Sequence, residues 1–466
     1  MAVSIAAALQ RIKPEIGRWL TPAAIHQLCH EANYVWRDRV LDPVTTLHWF
    51  VLQILNGNTA CAHVPHLGNG ACTGEAYGQA RARLPLAVFH GLLSLVTRLL
   101  PASTAPEGRW HGHRTLLLDG SSASMPDAPA LQQEYGQPST QAPGCGFPVV
   151  HLVALFQATT GFLMSIVTAP FRTHDMSQVE AVQPSLQEGD LLIGDRGFCS
   201  FAHLALLSAR GLFGLFRTHQ RQIVNFRRGR RSVAQKKADR RGKKRKSVPN
   251  KKAARRGAKT PTSKWLKRLG PNDQWVEYVK PVACPEWLTA EAYARLPDAL
   301  VVRELRYRIH QPGCRVREVT LTTTLLDPEK YPAAELAELY RQRWEAETNL
   351  RHLKTTLRMD VLRCKTVEGV KKELIMYALV YNLVRLVMLE ASRRQGVDVR
   401  RISFVDAVRW LAEAMRGAVS LKLRTNPDRP DRVEPRVRKR RPKEYDLMNR
   451  PRQELRNRLL GNTKAT

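Results

Sequence analysis

Apolar positions in the first hundred residues recur at helical spacing. Leu47, Phe50, Val51, Ile54 and Leu55 follow Pro43, a residue suited to a helix start. A Gly/Asn/Cys-rich break over 56–74 precedes two further helical stretches, 76–84 and 87–100, and 101–112 (PASTAPEGRWHG) reads as a linker. The pattern then changes to short, continuous apolar runs: 115–119 (TLLLD), 149–157, 162–168, 190–195 (DLLIGD) and 211–217 (GLFGLFR). Residues 158–161 (ATTG) form a hairpin-type connection, and 176–186 and 201–209 look helical. The order is β-β-β-α-β-α-β, and unbroken apolar runs suit central strands covered on both faces. Strand-like pieces return over 275–326 (WVEYVKPV, ALVVRELRYRI, REVTLTTTLL) and end at Asp327-Pro328. Helical patterns follow at 333–357, 367–392 and 404–419, with no internal repeat. The chain reads as an α/β protein in five spans. These are a helical region 1–104, a strand-rich part 113–217, a basic and β-rich insertion 218–330, a helical part 331–395, and a C-terminal helix and tail 396–466.

Charge changes this picture. The 466 residues hold 74 basic and 41 acidic side chains, a net +33, while the apolar share of 43% excludes a broadly disordered chain. Two segments carry most of the excess: 221–268 has 21 Lys/Arg and one acid, and 421–466 has 15 Lys/Arg and six acids. Such segments attract polyanions through counterion release, or serve as solvated spacers. No apolar run reaches the roughly 18 residues of a membrane span, and the start lacks the features of a secretory signal. Eight scattered cysteines form no CxxC pair and no zinc-finger spacing, so a reduced, cytoplasmic protein with buried thiols is expected.

Three carboxylates are the candidate chemistry. Asp119 and Asp195 each end a short buried-type run and are followed by Gly120 or by Arg196-Gly197. In an open α/β sheet, sites form at strand ends near the middle of the sheet, although Asp-Gly is also an ordinary turn signal. If the two strands are neighbours, their carboxylates converge, and a divalent cation such as Mg²⁺ or Mn²⁺ would relieve the repulsion. On a helix spanning 336–357, Tyr340, Arg343, Glu347 and Lys354 fall within an arc of about 60°, and Arg351 joins them. A stripe of this composition is either a solvated face with i,i+4 ion pairs or an acid set among phosphate-binding cations.

In order along the chain, these features resemble the DDE transposases of the insertion sequence 4 family. The most specific match is Y-x2-R-x3-E-x6-K, met by Tyr340, Arg343, Glu347 and Lys354 in YRQRWEAETNLRHLK. LLLDGSS with the later Pro126–Pro129, GDLLIGDRGF, AYGQARARLP, YNLVR and the terminal KRRPKEY support it. The resemblance implies a ribonuclease-H-like catalytic domain with a β-rich insertion between the second Asp and the Glu. It implies Asp119, Asp195 and Glu347 as the catalytic and metal-holding triad, with two Mg²⁺ or Mn²⁺ ions. Tyr340, Arg343 and Lys354 take the signature positions that contact DNA, and Arg351 shares their stripe. The implied activity is cleavage at transposon ends and transfer of the 3′-hydroxyl into target DNA, by a homodimer on paired ends of double-stranded DNA. N-terminal helices are expected to bind those ends. Trp265, Trp275 and Trp287 are candidates for stacking on an extruded base, and for packing. Two alternatives stay open: a nuclease of the same fold without strand transfer, and a non-catalytic DNA-binding derivative.

Overall fold

The N-terminal periodicity folds as helices α1 (Ile5–Ile12), α2 (Pro22–Glu31), α3 (Pro43–Leu55), α4 (Gly74–Arg83) and α5 (Leu86–Ser103). The start signals are chemical. The Asp42 carboxylate accepts from Thr45 N at 2.7 Å with Pro43 in the first turn, and Thr73 Oγ1 accepts from Ala76 N at 3.1 Å. This is a computed structural model. It describes residues 4–12, 20–37, 39–68, 70, 72–103, 109–139, 141–173, 175–236, 260–309, 318–417, 419–427 and 450–462. Most of the 421–466 basic tail, with KRRPKEY, and the middle of the 221–268 block lie outside the described residues.

One nine-stranded sheet runs through the molecule in the order β3-β2-β1-β4-β5-β9-β8-β7-β6. Its strands are β1 (Thr115–Ser124), β2 (Val149–Gln157), β3 (Leu163–Pro170), β4 (Leu191–Gly194), β5 (Phe213–Arg217), β6 (Lys264–Gly270), β7 (Asp273–Val279), β8 (Ala299–Arg308) and β9 (Glu318–Thr323). The first five make the ribonuclease-H-like unit. β2 is antiparallel to β1 and β3, and β1, β4 and β5 are mutually parallel. β1 is longer than its apolar run. It stays paired with β2 from Leu116 to Ser124, whereas its parallel pairing with β4 stops at Leu118. Asp119 therefore sits inside a strand, not in a turn after one, at the point where β4 falls away and the sheet opens.

The expected β-rich insertion is not a separate layer. β9 pairs antiparallel with β5, so β9 to β6 extend the same sheet. β6 begins at Lys264, inside the stretch read as solvated basic block. A buried ion pair fixes this half. Arg303 donates from Nε and Nη2 to Asp273, with Nη2–Oδ2 at 2.5 Å, and from Nη1 to the Tyr331 carbonyl. The helix expected at 176–186 is instead three short helical turns, Asp175–Gln178, Val179–Val182 and Gln183–Ser185, the last containing Pro184.

Each face of the sheet carries a core. Helix α6 (Phe201–Ala209) covers one with Leu116, Leu118 and Leu192. Opposite it pack the N-terminal helices together with α7 (Ala333–Arg341), α8 (Trp344–Arg351), α9 (Val367–Gln395) and α10 (Phe404–Ala414). The last described helix is α11 (Arg452–Asn462). α9 is long and apolar enough to cross a membrane, yet it is almost wholly buried in this core, between α5, α3 and β3. It ends at Gly396, whose φ of 64° suits a residue without a side chain.

The 333–357 pattern is not one helix. Gln342 N bonds to Leu339 O and Arg343 N to Tyr340 O, tightening the chain into a turn between α7 and α8. Beyond Arg351 the chain takes a π-helical turn, His352–Thr356. Both irregularities change the helical phase, so a single straight stripe does not form.

Candidate active site

The open end of the sheet is a cavity of about 320 Å³ lined by Asp119, Asp195, Arg196, Arg217, Tyr340, Arg343 and Glu347. β1 brings Asp119, and the Gly120 N–H orients it by donating to Oδ1 at 3.0 Å. Asp195 follows β4 and caps the short turn Arg196–Phe198; its Oδ1 accepts from Gly197 N at 2.7 Å. α8 supplies Glu347, whose Oε1 accepts from Arg343 at 2.6 Å. Arg343 reaches it because the break before α8 places this residue at the helix start.

Burial dominates the electrostatics. It pushes the Asp119 carboxyl up to about 6; Arg343 and the Gly120 N–H work against this, and Asp195 and Glu347 add to it. Burial also pushes the Tyr340 phenol up, so it stays a neutral donor. Burial disfavours the Arg343 charge, but Tyr340, Glu347 and Asp119 outweigh it and raise its pKa.

Of the residues singled out from the sequence, Asp119, Asp195, Tyr340, Arg343 and Glu347 share this cavity. Arg351 and Lys354 do not line it: Arg351 is exposed at the end of α8 and Lys354 lies half-buried in the π turn. Arg351 stands one helical turn beyond Glu347 at the end of α8, and the π turn that follows carries Lys354 further on. Arg196 and Arg217 line the cavity and were not picked out from the sequence. The available signal was position: Arg196 follows Asp195 directly, and Arg217 ends the strand beside β4. Among the tryptophans, Trp275 donates to the Leu326 carbonyl at 2.9 Å under the Lys267 ammonium, and Trp287 packs on the α6-side core. Trp265 lies on the edge strand β6.

The donor chemistry of the cavity suits a hard divalent cation, since all three acids offer oxygen and like charges already crowd Asp119. Among the described residues, no three His, Cys, Asp or Glu side chains form a closed ligand cluster. The acids line the walls of an open site.

A ribonuclease-H-like sheet with an acidic cavity among arginines defines an enzyme of nucleic-acid phosphodiester chemistry. Residues 110–383, more than half of the chain, match the family model of the transposase DDE domain, and the chain belongs to that family. It is 26% identical over 389 residues to transposase InsG of insertion sequence element IS4 from Escherichia coli (strain K12), covering 79% of this chain and 76% of that protein. It is 28% identical over 196 residues to the putative transposase InsZ from the same organism, covering 40% of this chain and 64% of that one. A solved structure of piggyBac transposase in a synaptic complex with hairpin DNA superposes with a TM-score of 0.44 and 9% identity, over 89% of this chain and 81% of that one. The protein is thus a DDE transposase, a family that works with divalent metal ions.

Proposed function

We propose that this transposase cleaves DNA at the ends of an insertion sequence and joins the freed 3′-hydroxyl to target DNA, with Asp119, Asp195 and Glu347 as the catalytic acids. One observation carries the reading: three carboxylates from β1, the end of β4 and α8 line a single cavity with three arginines and a tyrosine. In cleavage, a water oxygen bonds to phosphorus and the 3′-oxygen leaves. In joining, that 3′-hydroxyl attacks a target phosphodiester, one P–O bond forms and one breaks, and no external energy source is needed.

Asp119, Asp195 and Glu347 would hold two Mg²⁺ or Mn²⁺ ions. When bound, such ions acidify the attacking water or hydroxyl and stabilise the leaving oxygen. Arg343 grips the phosphate from a position fixed by Glu347, and Arg196 and Arg217 add positive charge to the cavity wall. Tyr340 donates its hydroxyl to a phosphate oxygen. Arg351 and Lys354, outside the cavity, contact the flanking DNA backbone. The N-terminal helices bind the transposon ends; a groove of about 960 Å³ lined by Trp36, Arg37, Arg39 and Arg83 supports this. A homodimer holds the two ends.

The test pairs cleavage with joining on DNA carrying the short inverted repeats that this reading expects on either side of the coding region. Asp119→Ala, Asp195→Ala and Glu347→Ala should each abolish nicking of end DNA in Mg²⁺ while retaining binding. Normal cleavage by Glu347→Ala would overturn the assignment. A pre-cut 3′-hydroxyl end offered with target plasmid should yield joined product; hydrolysis alone would favour a nuclease.

A further inference from the structure

Behind the cavity, on the other face of the sheet, stands a second pair of ionisable groups. His151 on β2 lies opposite Ser122 of β1. Its Nε2 is 2.6 Å from Asp175 Oδ1. A carboxylate only accepts, so Nε2 carries the proton. Asp175 opens the turn Asp175–Gln178, which packs against the turn Arg196–Phe198.

Asp175 occupies space that Gly120 leaves open and lies near Gly197. A Cβ on Gly120 would lie 2.5 Å from Asp175 Oδ1 and 3.0 Å from its Oδ2. A Cβ on Gly197 would lie 4.0 Å from Asp175 Oδ2 and 3.0 Å from Asp195 Oδ1. These are the glycines whose N–H groups orient the two aspartates: Gly120 N donates to Asp119, and Gly197 N donates to Asp195. The Asp175 carboxylate therefore backs the segment that aims Asp119, and its turn packs against the segment that aims Asp195.

We infer that Asp175, oriented by His151, is a positioning residue of the catalytic centre. It sets the placement of Asp119 and Asp195 relative to each other by backing Gly120 and packing its turn against the segment of Gly197, and so sets the centre's grip on its divalent cation. Its negative charge lies beyond the aspartate-bearing segments and outside the cavity lining. The structure gives a reason for the absence of a side chain at 120 beyond turn chemistry: a larger residue there would collide with Asp175. This inference rests on the reading of Asp119 and Asp195 as cation-holding acids.

The experiment uses the full chain and Mn²⁺ as probe. Mn²⁺ binding is read by electron paramagnetic resonance, and end-DNA cleavage is followed across Mn²⁺ concentration. Asp175→Asn and His151→Leu should raise the Mn²⁺ needed for half-saturation and for half-maximal cleavage about tenfold, with thermal unfolding and DNA binding little changed. His151→Gln, which keeps a donor toward Asp175, should restore most of the loss; a merely structural role would not produce that order. Gly120→Ala should reproduce the Asp175→Asn defect. If Asp175→Asn fails to fold, the Leu and Gln variants at 151 carry the comparison. Mn²⁺ binding and cleavage like the parent in both Asp175→Asn and His151→Leu would overturn the inference. Asp119→Asn run alongside separates the two claims: unchanged Mn²⁺ binding there would sink the underlying assignment instead.

Discussion

Arg343 does two jobs with one guanidinium. It holds Glu347 at 2.6 Å and counters the burial penalty on Asp119. A lysine keeps the charge but loses the planar fork that serves a carboxylate and a phosphate together. Arg343→Lys is therefore expected to slow single-turnover cleavage about 10²-fold at saturating DNA, with DNA affinity changed by less than about threefold. An equal fall in affinity would show that Arg343 serves binding and not the transition state. Arg217 lines the same cavity from the end of β5. Arg217→Ala should cost at least about tenfold in the same assay, and cleavage at the parent rate would make it a bystander.

At the scale of elements, α6 and the sheet extension each depend on a buried polar group. His203 of α6 donates from Nδ1 to the Phe198 carbonyl at 2.7 Å, closing the turn that follows Asp195. Burial pushes its pKa from 6.5 down to about 4. The folded imidazole thus resists a proton that the unfolded chain accepts. Its stabilisation is complete above pH 6.5 and is lost as pH falls towards 4, a swing on the order of 3 kcal/mol. Denaturant titrations at pH 7.5 and pH 5 should show a smaller loss in His203→Gln than in the parent; equal losses would refute the protonation account. Arg303→Ala would leave Asp273 buried without its partner and should cost about 3–5 kcal/mol at pH 7. These elements also show what the sequence revealed. β2, β4, α6 and β5 were legible because unbroken apolar runs and helical spacing are local signals. The length of β1 was not, since Gly120, Ser121 and Ser122 look like a turn and are held in strand by pairing with β2. Nor was the break at Gln342–Arg343, where every residue is a competent helix former and the turn is imposed by packing. The three acids of the cavity were legible, Glu347 through the spacing of its signature and the two aspartates through their places at the ends of apolar runs. Arg217 and Asp175 were not, because tertiary contact alone brings the one into the cavity and the other behind it.

At the scale of the whole molecule, much of the net charge is gathered in one stretch of sequence. The segment 237–259 contains 12 Lys/Arg and one acid, about a third of the net +33. The described chain on either side of it is fastened together: Val233 N donates to Pro261 O at 3.0 Å, and Lys236 Nζ to Thr260 Oγ1 at 3.1 Å. Arg230 reinforces this base, donating to Ser263 O and Ser263 Oγ at 2.7 and 2.8 Å. The two ends are thus neighbours in space, and a short Gly-Ser bridge can replace 237–259 without pulling on β6. Each phosphate neutralised by a basic residue contributes about −0.9 to the slope of log affinity against log salt for duplex DNA. If the segment grips the duplex, the bridged variant should have a slope shallower by several units. It should bind non-specific DNA more weakly at 50 mM salt and converge on the parent at high salt. Asp119, Asp195 and Glu347 stand on elements that the bridge leaves untouched, so cleavage of DNA already bound at low salt should proceed at the parent rate. An unchanged slope would assign the segment to spacing and leave DNA binding to the rest of the surface.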